Sequence, residues 1–319
     1  MRRRSSGIMM FLLIGILFLS VSSVYAETAA EYYKNGDAYA KQGNFTQAIS
    51  EYTNAIAANH KYSLAYNNRG LAYYMQGNLP QAISDFNKAI EINPEYSLPY
   101  NNRGFIYGMQ GNLPQAISDF NKAIEINPNY ADAHNSRGMA YYQQGNLPQA
   151  VSDFTTAVEI NPKYSVAYND RGFAYYHQGK LLQAISDYNK AIEINPKYSV
   201  AYNNRGIAYY MQGNLPKAIT DFNKAIEIDP AYGDAYSSRA FFYAKQGNFT
   251  QAISDCTKAI EINPINAIAY EDRAHVYFYK KEYEKAWDDV HKAETLGYKG
   301  NKKDLEFLEK LKKASRRDK

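Results

Sequence analysis

SLAYNNRGLAYYMQGNLPQAISDFNKAIEINPEY, residues 63–96, returns nearly letter for letter from residues 97, 131, 165, 199 and 233. The period is 34 residues, and weaker copies begin at Ala29 and Ala267, so eight copies run without a gap from 29 to 300. A fixed period of this length is the mark of a solenoid, in which each copy is one supersecondary unit whose apolar surface only its neighbours can cover. That reading overrides the two-domain expectation that 319 residues would otherwise carry. It predicts a binding scaffold and leaves the partner unnamed.

Each copy is numbered here from 1 to 34. Tyr stands at position 4 in seven copies, with His134 in the other, and at position 11 in all eight. Position 8 is Gly in six copies and Ala240 or Ala274 in the last two. Spacings of four and three place these residues on one helical stripe, and a small residue at its centre lets a second helix approach. Gly at position 15 and Asn at position 16 of most copies end that helix and cap another. Pro80, Pro114, Pro148 and Pro216 suit the first turn of the second helix, where a missing N–H costs little. That helix carries Ala82, Phe86 and Ala89 in the second copy, Ile83 and Ile90 extend its apolar face, and Asn93-Pro94 stops it. Each copy therefore predicts an αα-hairpin.

An aromatic at 4, Gly or Ala at 8, Tyr at 11, Ala at 20, an aromatic at 24, Ala at 27 and Pro at 32 resemble the tetratricopeptide repeat, across residues 29–300. The resemblance implies an all-α, right-handed superhelical solenoid of antiparallel helix pairs, with a concave groove lined by positions 2, 5, 6, 9, 12 and 13 of the first helices. Departures lie at the ends: His60 replaces Pro in the first copy, and Lys281, Val290 and Tyr298 stand at positions 15, 24 and 32 of the last. Terminal repeats are commonly atypical because one face meets solvent. The tail, residues 301–319, spaces Leu305, Leu308 and Leu311 helically between Lys and Glu and predicts a basic capping helix, with a membrane- or acid-binding helix as the rival.

The candidate binding residues follow from that groove. Asn67, Asn101, Asn135, Asn169 and Asn203 form a row at position 5, and Asn68, Asn102 and Asn204 add to it at position 6. Asn is a poor residue inside a helix, so a row of it asks for a reason. A side-chain amide offers a donor and an acceptor and can grip the backbone of an extended peptide whatever its sequence. Tyr74, Phe105, Tyr142, Phe173, Tyr176 and Tyr210, with Met75, Met109, Met139 and Met211, supply adaptable contacts beside the row. The row is similar to the Asn ladder in the repeat domain of the glycosyltransferase that modifies Ser and Thr with N-acetylglucosamine. A Lys/Arg/Asn clamp of the kind that tetratricopeptide domains use for chaperone tails is not supported. Inherited duplication without selection would also copy these letters.

Two charged rows read as structural. Arg fills position 7 in seven copies, from Arg69 to Arg273, and an acid fills position 23 in all eight, from Glu51 to Asp289. A bidentate ladder between the two helices is expected, because guanidinium and carboxylate forks match.

Residues 1–26 read as a secretory signal: Arg2–Arg4, the apolar run Ile8–Leu19, and Val24-Tyr25-Ala26 before a cleavage point. The formal charge of +4 falls near +1 once they are removed, with 33 basic against 32 acidic side chains, so a nucleic-acid partner is not expected. The single cysteine, Cys256, allows no intrachain disulfide and falls where other copies carry an aromatic, which marks it as core. The five histidines occupy five different repeat positions, and no metal spacing or phosphate loop appears. Neither an enzyme, a cofactor nor a small-molecule substrate is expected. The combined expectation is signal 1–26, repeats 27–300 and tail 301–319. The protein would be exported, periplasmic or secreted, and would bind extended segments of other proteins. The alternatives are an envelope subunit anchored in the membrane by residues 8–24, or a self-assembling repeat protein.

Overall fold

The computed structural model describes residues 28–299 and 302–315, so the signal reading of residues 1–26 lies outside the described part. The described residues hold seventeen helices and no strand. They divide between Asn161 and Pro162 into two compact units. The first holds α1 (28–41), α2 (Phe45–Ala58), α3 (Ser63–Met75), α4 (Leu79–Ile92), α5 (Ser97–Met109), α6 (Leu113–Ile126), α7 (Ala131–Gln143) and α8 (Leu147–Ile160). The second holds α9 (Ser165–His177), α10 (Leu181–Ile194), α11 (Ser199–Met211), α12 (Leu215–Ile228), α13 (Gly233–Lys245), α14 (Phe249–Ile262), α15 (Ala267–Tyr279), α16 (Tyr283–Thr295) and α17 (Lys302–Ser315).

Every repeat is a helix pair. Within the first unit α3 packs on α2 and α4, and within the second α11 packs on α10 and α12. First helices also touch first helices of the next copy, α3 with α5 and α5 with α7, and α9 with α11 and α11 with α13. The first helices thus form one continuous layer in each unit, and that layer positions the candidate site.

The hairpin turn has a local cause. Gly at position 15 adopts φ between 72° and 78° in all seven copies that carry it, a left-handed conformation that a Cβ disfavours. Lys281 holds the same place at φ 68° and is the non-glycine exception among the described residues. Replacing Lys281 by Gly is expected to stabilise the last hairpin by about 1 kcal/mol, read as a higher denaturation midpoint; an unchanged or lower midpoint would show the lysine is not strained there. The far end of six hairpins is held by a turn not foreseen in the sequence. The position-31 side chain accepts a hydrogen bond from the backbone N–H two residues on, as in Asn59 from Lys61 (3.0 Å), Asn93 from Glu95 (3.2 Å) and Asn195 from Lys197 (3.1 Å). This Asx turn persists over His60, which explains why the first copy tolerates losing its proline. At position 16, Asn78 and Asn214 accept from Gln81 and Lys217, whereas Asn44 and Asn248 cap by position alone, without a side-chain bond.

The core differs in detail from the expected stripe. Its buried positions are 3, 8 and 10 of the first helix and 20, 24 and 27 of the second, as in Ala65, Gly70, Ala72, Ala82, Phe86 and Ala89. The tyrosines at 4 and 11 are mostly half-buried instead, Tyr236 being buried and Tyr39 exposed. At position 4 they lie under the position-7 arginine, with the guanidinium 5.3–5.7 Å from the ring centre in Tyr66, Tyr100, Tyr168, Tyr202, Tyr236 and Tyr270.

The arginine ladder is present in all seven copies. In each, Nε and Nη2 donate to the two carboxylate oxygens of the position-23 aspartate, for example Arg103 to Asp119 at 2.8 and 2.6 Å. The third nitrogen, Nη1, reaches the preceding copy: Arg103 donates to Asn87 Oδ1 (2.6 Å), Arg205 to Asn189 (2.7 Å) and Arg239 to Asn223 (2.8 Å). One guanidinium therefore ties its own hairpin together and sets the register of stacking on the hairpin before it.

At the carboxyl end α17 covers the last pair. Phe307 and Leu311 are buried against Ala274, Ala286 and Val290, and Leu308 is half-buried. The expected leucine stripe is thus a Phe307–Leu311 pair one turn apart; the side chain of Leu305 lies outside the described residues.

Candidate functional site

The position-5 asparagines are not at the surface. Asn67, Asn101, Asn135, Asn169 and Asn203 are all at least nine-tenths buried. Asn67 Nδ2 donates to Asn68 Oδ1 (3.0 Å), and Asn67 Oδ1 accepts from Asn102 Nδ2 of the next copy (3.0 Å). Asn169 accepts from Asn204 in the same manner (3.0 Å). The row expected to grip a peptide is buried between neighbouring first helices: Asn67 and Asn169 are tied to the position-6 asparagines of the next copies, and Asn101 and Asn203 each keep a buried Oδ1 without a partner. Asn68 is half-buried and spends its donors on Tyr33 (2.8 Å) and Asp37 (3.0 Å).

The expected aromatics divide. Tyr74, Tyr142, Phe173, Tyr176 and Tyr210 are half-buried, and Phe105 is exposed. Two position-12 tyrosines, Tyr74 and Tyr210, reach across to the next copy. The Tyr74 ring meets Phe105 edge-on at 5.9 Å, with its hydroxyl 3.6 Å from Met109 Sδ, and Tyr210 meets Phe241 at 5.6 Å. They fill the junction between copies more than they offer a surface.

What the first-helix layer does expose is apolar. Of fourteen large hydrophobic residues exposed among the described residues, eleven fall at positions 2, 9 and 13: Leu64, Leu98, Val166 and Ile268; Leu71, Phe105 and Phe241; and Met75, Met109, Met211 and Tyr279. Offsets of seven and four place these positions on one helix face. All four methionines of the repeats, Met75, Met109, Met139 and Met211, lie on this face. Position 13 in particular is more than half exposed in Met75, Met109 and Met211. The sequence signal for it was available: Met and Leu recur where an outward residue should be polar.

Between some copies the face opens into clefts. One of about 390 Å³ lies between the first and second copies, floored by Ala40 and lined by Asp37, Lys41, Leu71 and Met75. A second of about 180 Å³ lies between the third and fourth, over Gly108, with Phe105, Ser136 and Met139. A third of about 380 Å³ lies between the seventh and eighth, over Ala244, with Phe241, Asp272 and His275. Cys256 sits at the base of the last; burial pushes its thiol well up from the usual range, so it is an inert core residue, as expected. Among the described residues no group of three or more His, Cys, Asp or Glu is placed to hold a metal ion, and no helix is long and apolar enough to cross a membrane.

Sequence profiles described as tetratricopeptide repeat match residues 33–97, 86–118, 131–164, 154–186, 199–232 and 233–266, and one described as TPR repeat matches 109–145 and 174–213. No curated protein matches the chain. Among solved structures it is similar to a tetratricopeptide repeat protein from Parabacteroides merdae, at 22% identity and a TM-score of 0.63, over 78% of this chain and 99% of that one. It is similar to the Cut9–Hcn1 hetero-tetramer of the APC/C at 17% identity and a TM-score of 0.68, over 85% of this chain and 52% of that one. It is also similar to pilF of Pseudomonas aeruginosa, at 15% identity and a TM-score of 0.59, over 65% of this chain and 94% of that one. At these identities the likeness is one of fold. With the helix pairs, the repeat spacing and the profile matches in agreement, the chain belongs to the tetratricopeptide repeat family.

Proposed function

We propose that this protein is an exported, non-enzymatic scaffold that binds extended segments of partner proteins along the exposed face of its first helices. The observation that carries the reading is the concentration of exposed Leu, Met, Phe and Val at positions 2, 9 and 13. A contiguous apolar surface costs free energy in water and marks an interaction site when it is organised on one face. Met and Phe contribute large contact area with few fixed directional demands, which suits a surface that must accept more than one sequence. Export rests on Arg2–Arg4 and the apolar run that follows.

The test is a crosslinking capture from the exported fraction, comparing wild type with Leu71→Ser/Phe105→Ser/Met109→Ser. These three side chains are exposed, so the variant keeps its fold by circular dichroism. A partner held by wild type and lost from the variant supports the face. The same partners held by both would move binding to the second-helix side or the tail. Mass measurement of the exported chain gives the fate of residues 1–26: an intact amino terminus would favour the anchored envelope component instead.

A further inference from the structure

The three clefts share a sequence rule. Each lies over a copy whose position 12 is small, namely Ala40, Gly108 or Ala244. In the second and sixth copies position 12 is Tyr74 or Tyr210, and its ring occupies the same place against positions 9, 10 or 13 of the next copy. The chain thus shows what fits such a junction: a phenol ring laid against position 9 of the next copy, which is Phe105 or Phe241 there and Met139 over Gly108. Where position 12 is small, that ring is missing and its berth is open.

At the junction of the third and fourth copies a second feature coincides with the open berth. Asn101 is buried and its side-chain amide meets the Tyr130 hydroxyl, but its Oδ1 has no partner. In Asn67 and Asn169 the equivalent oxygen accepts from the position-6 Asn of the next copy. Here position 6 is Ser136, whose side chain is shorter and which lines the cleft. Asn203 faces Ser238 and is likewise unpaired, but Tyr210 fills that junction. The residues around the open berth, Phe105, Gly108, Met109, Ser136, Met139 and Gln143, carry no charge.

We infer that the junction over Gly108 is a selective subsite for an uncharged aromatic side chain, Phe or Tyr, of an extended partner segment. The ring takes the berth that position-12 tyrosine takes elsewhere. This rests on the first-helix face being the binding surface and adds which residue of a partner is read, and where.

The probe is the blocked tripeptide N-acetyl-Gly-Phe-Gly-amide, titrated into the full chain labelled with carbon-13 at methionine methyls. Met109 and Met139 line the berth, whereas Met211 lies in another copy. Saturable shifts at Met109 and Met139 are expected, and at least tenfold weaker ones with the Ala tripeptide. Gly108→Tyr installs the residue of the sister copies and should abolish the shifts. Ser136→Asn puts a longer side chain into the cleft that Ser136 lines and should weaken binding several-fold. Tyr74→Gly should open a new berth reported by Met75 and Met109. Shifts that survive Gly108→Tyr, or equal response to the Ala peptide, would overturn the subsite. If partner capture is lost in the triple serine variant but unchanged in Gly108→Tyr, the binding face stands and this subsite alone fails.

Discussion

Arg103→Ala is expected to lower the unfolding free energy by about 3 kcal/mol, Asp119→Ala by about 2, and the double variant by little more than the first alone. The Asp119 side chain is 9% exposed and that of Arg103 19%, so the pair lies between a surface bridge worth under about 1 kcal/mol and a buried one worth about 3–5 when one partner is removed. Removing the arginine leaves a carboxylate with little water around it. It also cuts the Nη1 bond to Asn87 and uncovers Tyr100. Removing the aspartate leaves a guanidinium that can swing towards solvent, which is why its cost is smaller. Denaturant titration of the four proteins measures the coupling, expected near 2 kcal/mol. Because Arg103 links two hairpins, the single variants should also broaden the transition, as expected when an interface in a repeat array weakens. Coupling near zero would reduce the ladder to independent solvated charges.

Gly138→Ala should cost about 2 kcal/mol, although Ala is the better helix former by about 1. A Cβ at Gly138 would lie 2.7 Å from Cε1 and 2.8 Å from Cδ1 of Phe154, closer than carbon atoms approach, and Phe154 is fully buried with nowhere to retreat. The chain contains its own control. The two copies with Ala at position 8, Ala240 and Ala274, carry Cys256 and Val290 where the others carry an aromatic. Phe154→Val alone should cost about 3 kcal/mol through the cavity it leaves. Combined with Gly138→Ala it should cost at least 1 kcal/mol less than the sum, because the added methyl enters that cavity. Simple additivity in thermal or denaturant unfolding would mean that positions 8 and 24 do not share one volume.

Val290, read in sequence as the irregularity of a terminal repeat, is matched by Ala274, as Cys256 is by Ala240: where position 24 loses its ring, position 8 gains a methyl. The same kind of information separates what could be read in the candidate site from what could not. Phe105, Met75 and Met109 were recognisable as outward apolar residues. Asn67 and its counterparts were recognisable as unusual, but their direction was not. Positions 5 and 6 lie 100° apart on a helix, and whether 5 or 6 faces solvent depends on how far the next first helix rotates about it.

The sequence by itself determined the helix pairs, their 34-residue register, the turns at the glycines of repeat position 15, such as Gly77, and the partnering of Arg with Asp sixteen residues on. These are local or strictly repeated, so spacing alone expresses them. The tertiary structure decided that Asn67 pairs with Asn102, that Phe307 joins Leu311 in anchoring α17, and that Gly108 leaves a berth where Tyr74 closes one. Each depends on the angle and distance between neighbouring hairpins, which arise from the summed volumes of side chains on both and are written at no single position.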